Sequence, residues 1–487
     1  MPVIAAYIVP HPPLIFPEIG RGEEYKIRDT VNAYRAAAAE IAGIAPDTVV
    51  VVSPHTQMYA DYFHISPGTS ARGDMRAYGA ADVTVSAEYD TEFTEALTVA
   101  CEAKGFPAGT LGERDAKLDH GTMIPLRFLQ EAGATQIKLV RIGVSGLSTE
   151  DHYRFGMMIR DIAEELDRQI VFIASGDLSH KLLDHGPYGY APEGADFDSR
   201  ITEMITTGDF LPVIEMDASF YERAGECGHR PILMMAGALD GTSVESKLLS
   251  YEGPFGVGYG IGSFLVTTDT VTLDSADLSV QASDAAVPSH DTLEERKFLE
   301  RYLVRERERS EERHRAESPQ VALARSTAEA YVKTHRMYEP QEPLPEEITG
   351  QRAGVFVSIK KQGNLRGCIG TISPTKENIG LEIRHNAISA AAHDPRFDEI
   401  EPCELPYLSY SVDVLEPAEK IDSAADLDPK KYGVIVSLGG KRGLLLPNLD
   451  GIDDVETQIE IAMQKAGIAK HDRAKIQLER FEVVRYL

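Results

Sequence analysis

Residues 47–56, DTVVVVSPHT, decide the fold. Four consecutive valines between Asp47 and the Ser53-Pro54 break form a short apolar run. Such a run is the mark of an interior strand buried on both faces. His55 follows it directly. Residues 2–11, PVIAAYIVPH, repeat the arrangement and end on His11, and residues 169–180, QIVFIASGDLSH, end on His180. Helical spacing appears over 26–44 and 153–168, and further strand patterns over 136–145 and 257–267. The alternation predicts an α/β sandwich with a central sheet over residues 1–268. In such sheets, sites gather in the loops beyond the carboxyl ends of strands. Three histidines at three such ends are therefore expected to converge on a metal site.

The wider composition narrows the classes. A chain of 487 residues suggests about three domains, or two of uneven size. It is 43% hydrophobic and 26% charged, ordinary for a globular protein. The 77 acidic residues outweigh the 49 basic ones, for a net charge of −28. A surface of that sign repels phosphate backbones, so neither a nucleic acid nor an anionic membrane is the expected partner. No run of 18 apolar residues is present, so no transmembrane helix is predicted. The N-terminal segment lacks a basic start and is broken by Pro10, Pro12 and Pro13, unlike a signal peptide. Cys101, Cys227, Cys368 and Cys403 are sparse and form no CxxC pair. That argues against a disulfide framework and for a reducing cytoplasm.

Residues 269–317 are expected to separate two domains. Residues 269–292, rich in Asp, Ser, Ala, Thr and Val, read as a linker. Residues 294–317 carry eight acids and eight bases around a narrow seam of Phe298, Leu299, Tyr302 and Leu303. They predict a charged helix, read as a solvated spacer, with a partner-binding helix as the alternative. The second domain, 318–487, opens on a Ser-Pro helix start. It continues through a Gly-rich hairpin over 354–372, a helix over 377–393, strands over 407–416 and 433–447, and a helix over 455–468. This smaller domain is α+β.

Other residues join the candidate site. His120 stands before an apolar helix, and Glu226, Cys227 and His229 precede another. Glu252 is a weaker candidate. Two histidines and one carboxylate are the ligand set of non-haem Fe(II) oxygenases. A cysteine in the third place favours a softer or redox-tuned ion. His180 and His120 can then act as acid or base, and Asp177 can orient His180 from behind. Hydrolytic zinc chemistry on three histidines, or on two and a glutamate, is a further reading.

The segments PHPPL, SPHT, DHG, SGDLSH, AGECG and AGAL, in this order over residues 1–268, resemble the class III extradiol ring-cleavage dioxygenases, the LigB-like family, and their relatives the Memo proteins. The resemblance implies His11 and His55 as metal ligands, His180 as the catalytic histidine and His120 as the second histidine of the pocket. The family carboxylate aligns with Cys227 directly, or with Glu226 after one insertion. Glu226 suits a dioxygenase. Cys227 suits a Memo-like metal or redox role. The implied activity is Fe(II)-dependent ring opening of a catechol-like aromatic by O₂, with zinc or copper as alternative metals.

Residues 318–487 resemble the AMMECR1 family through LRGCIGT, HDPRF, ELPYLSYSVDVL, YGVIVS, GLLLP and VETQIEIAMQKAGI. Its signature here is Arg366, Gly367, Cys368, Ile369 and Gly370. Cys368 beside an arginine is a candidate nucleophile, and His393, Asp394, Arg396 and Phe397 are candidates to line a cleft with it. Memo-like and AMMECR1-like proteins are associated with a radical S-adenosylmethionine protein in a three-part system. The chain resembles a fusion of two of the three parts. That resemblance implies a radical enzyme as partner, with a scaffold role lacking ring cleavage as the alternative function and a homo-oligomer as a further expectation.

Overall fold

The computed structural model describes residues 2–267, 298–361, 363–449 and 452–487. The predicted linker at 269–292 and the first residues of the charged helix lie outside these. The chain divides into two compact units, Met1–Leu303 and Val304–Leu487.

The first unit is built on a six-stranded sheet. Its strands are β1 (Val3–Val9), β2 (Thr48–Ser53), β3 (Lys138–Gly143), β4 (Ile170–Ser175), β5 (Val244–Glu252) and β6 (Tyr259–Val266). The spatial order is β3-β2-β4-β1-β6-β5, with the first four parallel and the last two antiparallel. Side chains alternate across the sheet into two cores. Ala5, Tyr7, Val9, Val49 and Val51 face helices α1 (Arg28–Ile44) and, further along the chain, α3 (His120–Glu131). Ala6, Ile8, Val50 and Val52 face α2 (Thr91–Ala103), α4 (Thr149–Glu165), α5 (Pro192–Thr207) and α6 (His229–Ala238). Burial on both faces explains why the valine run shows no polar alternation.

Helices α4 and α6 cross closely on two glycines. A Cβ added to Gly156 would stand 1.9 Å from the Met234 carbonyl oxygen, and one on Gly237 would stand 1.9 Å from that of Tyr153.

Helix α7 (Phe298–Ala316) departs from the expected solvated spacer. Phe298 and Tyr302 are buried in the core of the first unit, and Leu299 and Leu303 pack against it. Four apolar residues within two turns anchor that end, because burying them gains more than exposing them. From Val304, itself exposed, charged residues take over.

The second unit holds two four-stranded antiparallel sheets. One orders β7 (Val355–Lys361), β8 (Asn364–Gly370), β9 (Leu408–Leu415) and the late strand Val483–Tyr486 as β8-β7-β9-(483–486). The other runs Glu419–Ile421, Gln477–Phe481, Gly433–Leu438, Lys441–Leu445. Helices α8 (Pro319–Thr334), capped by Ser318, and α9 (Ile379–Ala392) cover the first sheet. Helix α10 (Val455–Ala466) covers the second.

Candidate metal centre

The site forms where β1, β2 and β4 end. Val9 pairs with Ser175 across parallel strands, and the Gly176 amide donates to the Val9 carbonyl, so the loops after β1 and β4 leave the sheet together. His11 lies two residues beyond β1, and its backbone amide donates to Asp177 Oδ1 at 2.7 Å. His55 lies two residues beyond β2, with its amide on Ser53 Oγ. His120 is the first residue of α3, behind the N-cap Asp119.

These placements bring three imidazoles together. One donor nitrogen from each of His11, His55 and His120 lies within 4.8 Å of the others. His11 and His55 approach Nε2 to Nε2 at 3.1 Å. Ring centroids are 4.1 Å apart for His55 and His120 and 5.2 Å for His11 and His120.

The surroundings fix which nitrogens are free. The Ser175 hydroxyl donates to the Gly121 carbonyl at 2.6 Å, so His11 Nδ1 donates to Ser175 Oγ at 3.0 Å. That leaves the His11 Nε2 lone pair toward the cluster. His120 Nδ1 meets the Tyr78 hydroxyl at 3.0 Å, which leaves its Nε2. Gly121 must be glycine, since a Cβ there would stand 2.4 Å from Ser53 Oγ and 3.2 Å from His11 Nδ1.

Electrostatics keep the histidines neutral. Burial first, then the charge of His55, lowers His11 to about 3. Burial, then His55 and His11, lowers His120 to about 3. Burial also lowers His55 and His180, against the carboxylates beside them. Asp119 is buried, which would raise it. Arg141 and the hydroxyls of Ser53, Thr122 and Thr56 overcome that and hold it at about 2. A neutral imidazole with its lone pair turned inward is the form that ligates a metal.

The two candidates for the third ligand part company. Cys227 Sγ is 3.5 Å from His11 Nε2 and accepts the Asp177 amide at 3.2 Å. Glu226 is turned away, its Oε2 accepting the His229 amide at 2.6 Å at the start of α6. The other nearby carboxylates are also engaged, Asp119 by Ser53, Thr56, Thr122 and Arg141, and Asp177 by the His11 amide. The donors at hand, three imidazoles and a thiol, fit a divalent transition ion. They do not include the carboxylate of a two-histidine, one-carboxylate set. Burial, then Asp177 and Glu226, raises the Cys227 thiol, and a bound cation would reverse that.

His180 stands at the same sheet end, its amide on the Gly225 carbonyl and its ring 5.0 Å from that of Tyr188. Its Nε2 is buried and unpartnered among the described residues. Asp177 holds the His11 amide and, by its charge, raises His180 against burial. His229 is buried on the Val213 carbonyl, and Glu252 binds the amide and hydroxyl of Thr30, so both are structural. A cleft of 660 Å³ reaches His55 and His120, with Tyr78, Arg76, Lys117 and Arg141 along it. Tyr78, Asp119, Ser175 and Arg141 escape the sequence reading, although Asp119 before His120 carries an N-cap signal.

In the second unit Arg366 is spent on Glu404 and on the carbonyls of Asp398 and Glu399. Asp394 accepts the Cys368 amide, and Arg396 joins Asp394 to the Cys368 carbonyl. Gly367 packs its Cα side against the Ala390 carbonyl, and Ile369 packs against the core. Cys368, Gly370 and Arg396 line a cavity; His393 and Phe397 are not among its lining residues. All four cysteines are free thiols. No helix among the described residues is long and apolar enough to cross a membrane.

Residues 5–262 match the family described as the catalytic LigB subunit of aromatic ring-opening dioxygenase. Residues 321–486 match AMMECR1. A protein of Clostridium acetobutylicum is 39% identical over 488 residues, covering 99% of this chain and 98% of its own. A protein of Thermotoga maritima is 50% identical over 171 residues, 35% of this chain and 98% of its own. Among solved structures, an uncharacterized protein from Pyrococcus horikoshii shares 30% identity at a TM-score of 0.32, covering 34% of this chain and 88% of that one. One from Escherichia coli K12 shares 17% at 0.36, covering 53% and 99%.

Proposed function

We propose, for a chain that belongs to the LigB family over residues 5–262 and carries an AMMECR1 domain over 321–486, that the first domain is a metal-dependent oxidoreductase acting on a catechol-like aromatic. The observation that carries this is the convergence of His11, His55 and His120 at one sheet end. These three would hold the metal, with iron(II) the ion the family favours. A bound ion of that kind supplies a coordination site for the two oxygens of a catechol and for O₂. The rest falls to the chain's own groups. The cleft along Tyr78 and Arg141 admits the substrate to His55 and His120. His180, neutral and with a free Nε2, takes the proton of a phenolic hydroxyl. Tyr78 holds His120 in place.

Cys227 beside His11 supports a second reading, a Memo-like metal protein that serves a radical S-adenosylmethionine partner without ring cleavage. One experiment separates the two. The protein is purified without oxygen, its metal is measured, and O₂ uptake is followed with catechol. About one iron per chain with catechol-dependent uptake, abolished in His180→Ala while metal stays, supports the oxidoreductase. Full metal occupancy in His11→Ala and in His55→Ala would sink the site altogether. A metal lost in Cys227→Ser, with no uptake in wild type, favours the second reading.

A further inference from the structure

The first sheet of the second unit has two unlike faces. Val355, Val357, Ile359, Val412 and Val414 point into the apolar core beneath helices α8 and α9. The alternate residues, Phe356, Ser358, Lys360, Ser409, Ser411 and Asp413, face the other way and line a cavity of 980 Å³. The neighbouring strand adds Cys368 opposite Ser358 and Gly370 opposite Phe356. Arg442, Leu444, Leu446, Leu449 and Lys465 enclose the cavity from the other sheet and α10. Every lining residue belongs to the second unit.

Its charge is opposite to that of the chain. Arg313, Lys360, Arg396, Arg442, Lys465 and Arg485 line it, against Glu317 and Asp413. In a chain of net charge −28 this is a local reversal. Part of the positive charge is committed, Arg485 to Asp413, Arg442 to Glu479 and Arg396 to Asp394. Lys360 and Lys465 have no ion-pair partner among the described residues. Burial lowers Lys465, and the nearby Cys368 thiol acts on it in the opposite sense. Unpaired cations in a partly apolar cavity describe a binding site without its ligand's anionic group.

We infer that this cavity binds an organic anion, an apolar body bearing a carboxylate or phosphate, with its anionic group on Lys360 and Lys465 beside Cys368. Phe356, Leu365, Ile372 and Leu444 receive the body. The Ser358 hydroxyl, 3.2 Å from Cys368 Sγ, orients the thiol, and Asp394 and Arg396 fix its backbone.

The four free cysteines supply a probe. In the full chain, alkylation by anionic iodoacetate and neutral iodoacetamide is followed peptide by peptide. Exposed Cys403, beside Glu401, is the internal reference. The iodoacetate preference at Cys368 is expected to exceed that at Cys403 by about tenfold, since a cationic cleft concentrates anions. Lys360→Ala and Lys465→Ala, checked for folding by circular dichroism, should each lower it several-fold. Naphthalene-2-sulfonate should slow alkylation of Cys368 in wild type, and naphthalene-2-methanol should not. Equal preference at the two cysteines overturns the inference. So does equal protection by the neutral alcohol, protection unchanged in both lysine variants, or a Cys368 inert to both reagents.

Discussion

Asp198 shows how one buried side chain ties the loop that carries His180 to a helix. From α5, its Oδ1 accepts the Ser179 amide and its Oδ2 the Tyr251 hydroxyl, both at 2.7 Å. Burial raises its carboxyl from 3.8 to about 7, against those two hydrogen bonds. The folded state therefore holds this proton to higher pH than the unfolded chain. The stability linked to it is complete below about pH 4 and is lost as pH rises through about 7. Denaturant melts of wild type and Asp198→Asn across that range check the sign. The asparagine keeps both contacts and removes the titration, so the difference between the two should grow with pH; a constant difference would contradict the assignment. Glu226 makes a second case. Glu226→Ala should cost about 1–2 kcal/mol by exposing the start of α6, yet leave metal content unchanged. Loss of metal in that variant would restore Glu226 as a ligand. His11 and His55 are legible in the chain because each stands two residues beyond a strand, and His120 because it opens an apolar helix. Tyr78 is not, since a hairpin turn 42 residues from His120 brings it there.

At the scale of elements, the crossing of α4 and α6 sets the place of the helix that follows Cys227. Helix α6 follows Cys227 and carries Gly237, which the Tyr153 carbonyl approaches too closely for any side chain. Gly237→Ala should cost about 1–3 kcal/mol or more by forcing the helices apart. It should also loosen the metal, because Cys227 and Asp177 move with the start of α6. Thermal melts with and without added metal report both effects; an unchanged melting temperature would refute the close crossing. Helix α7 tests a different element. Phe298→Ala should cost about 3–5 kcal/mol in the first unit, whereas a solvated spacer would lose almost nothing. The strand and helix patterns were readable here, but the anchoring of α7 was not. Its apolar seam is short, and only the pocket it fills gives those residues a core to join.

For the whole molecule, two compact units, each with its own apolar cores, predict two thermal transitions in calorimetry. Metal saturating the histidine cluster should raise one of them alone, by about 4 kcal/mol of stabilisation at a thousandfold excess over Kd. Removing it with a chelator should lower that transition and leave the other. A single transition, or both shifting together, would mean the units unfold as one.

Local sequence determined much of this protein. Apolar runs and helical spacing specify the strands and helices, since burial on one or both faces writes itself into the order of residues. The position of His11, His55 and His180 follows from the same pattern, because side chains just past a strand end have one sheet edge to face. Tertiary structure alone decided the rest. It turned Cys227 toward His11 and Glu226 toward a helix start, a choice between adjacent residues that depends on backbone direction after a tight loop. It also gathered Lys360, Arg396 and Lys465, far apart in the chain, around one cavity. Pairing of distant strands set that meeting, and no local pattern encodes which strands will pair.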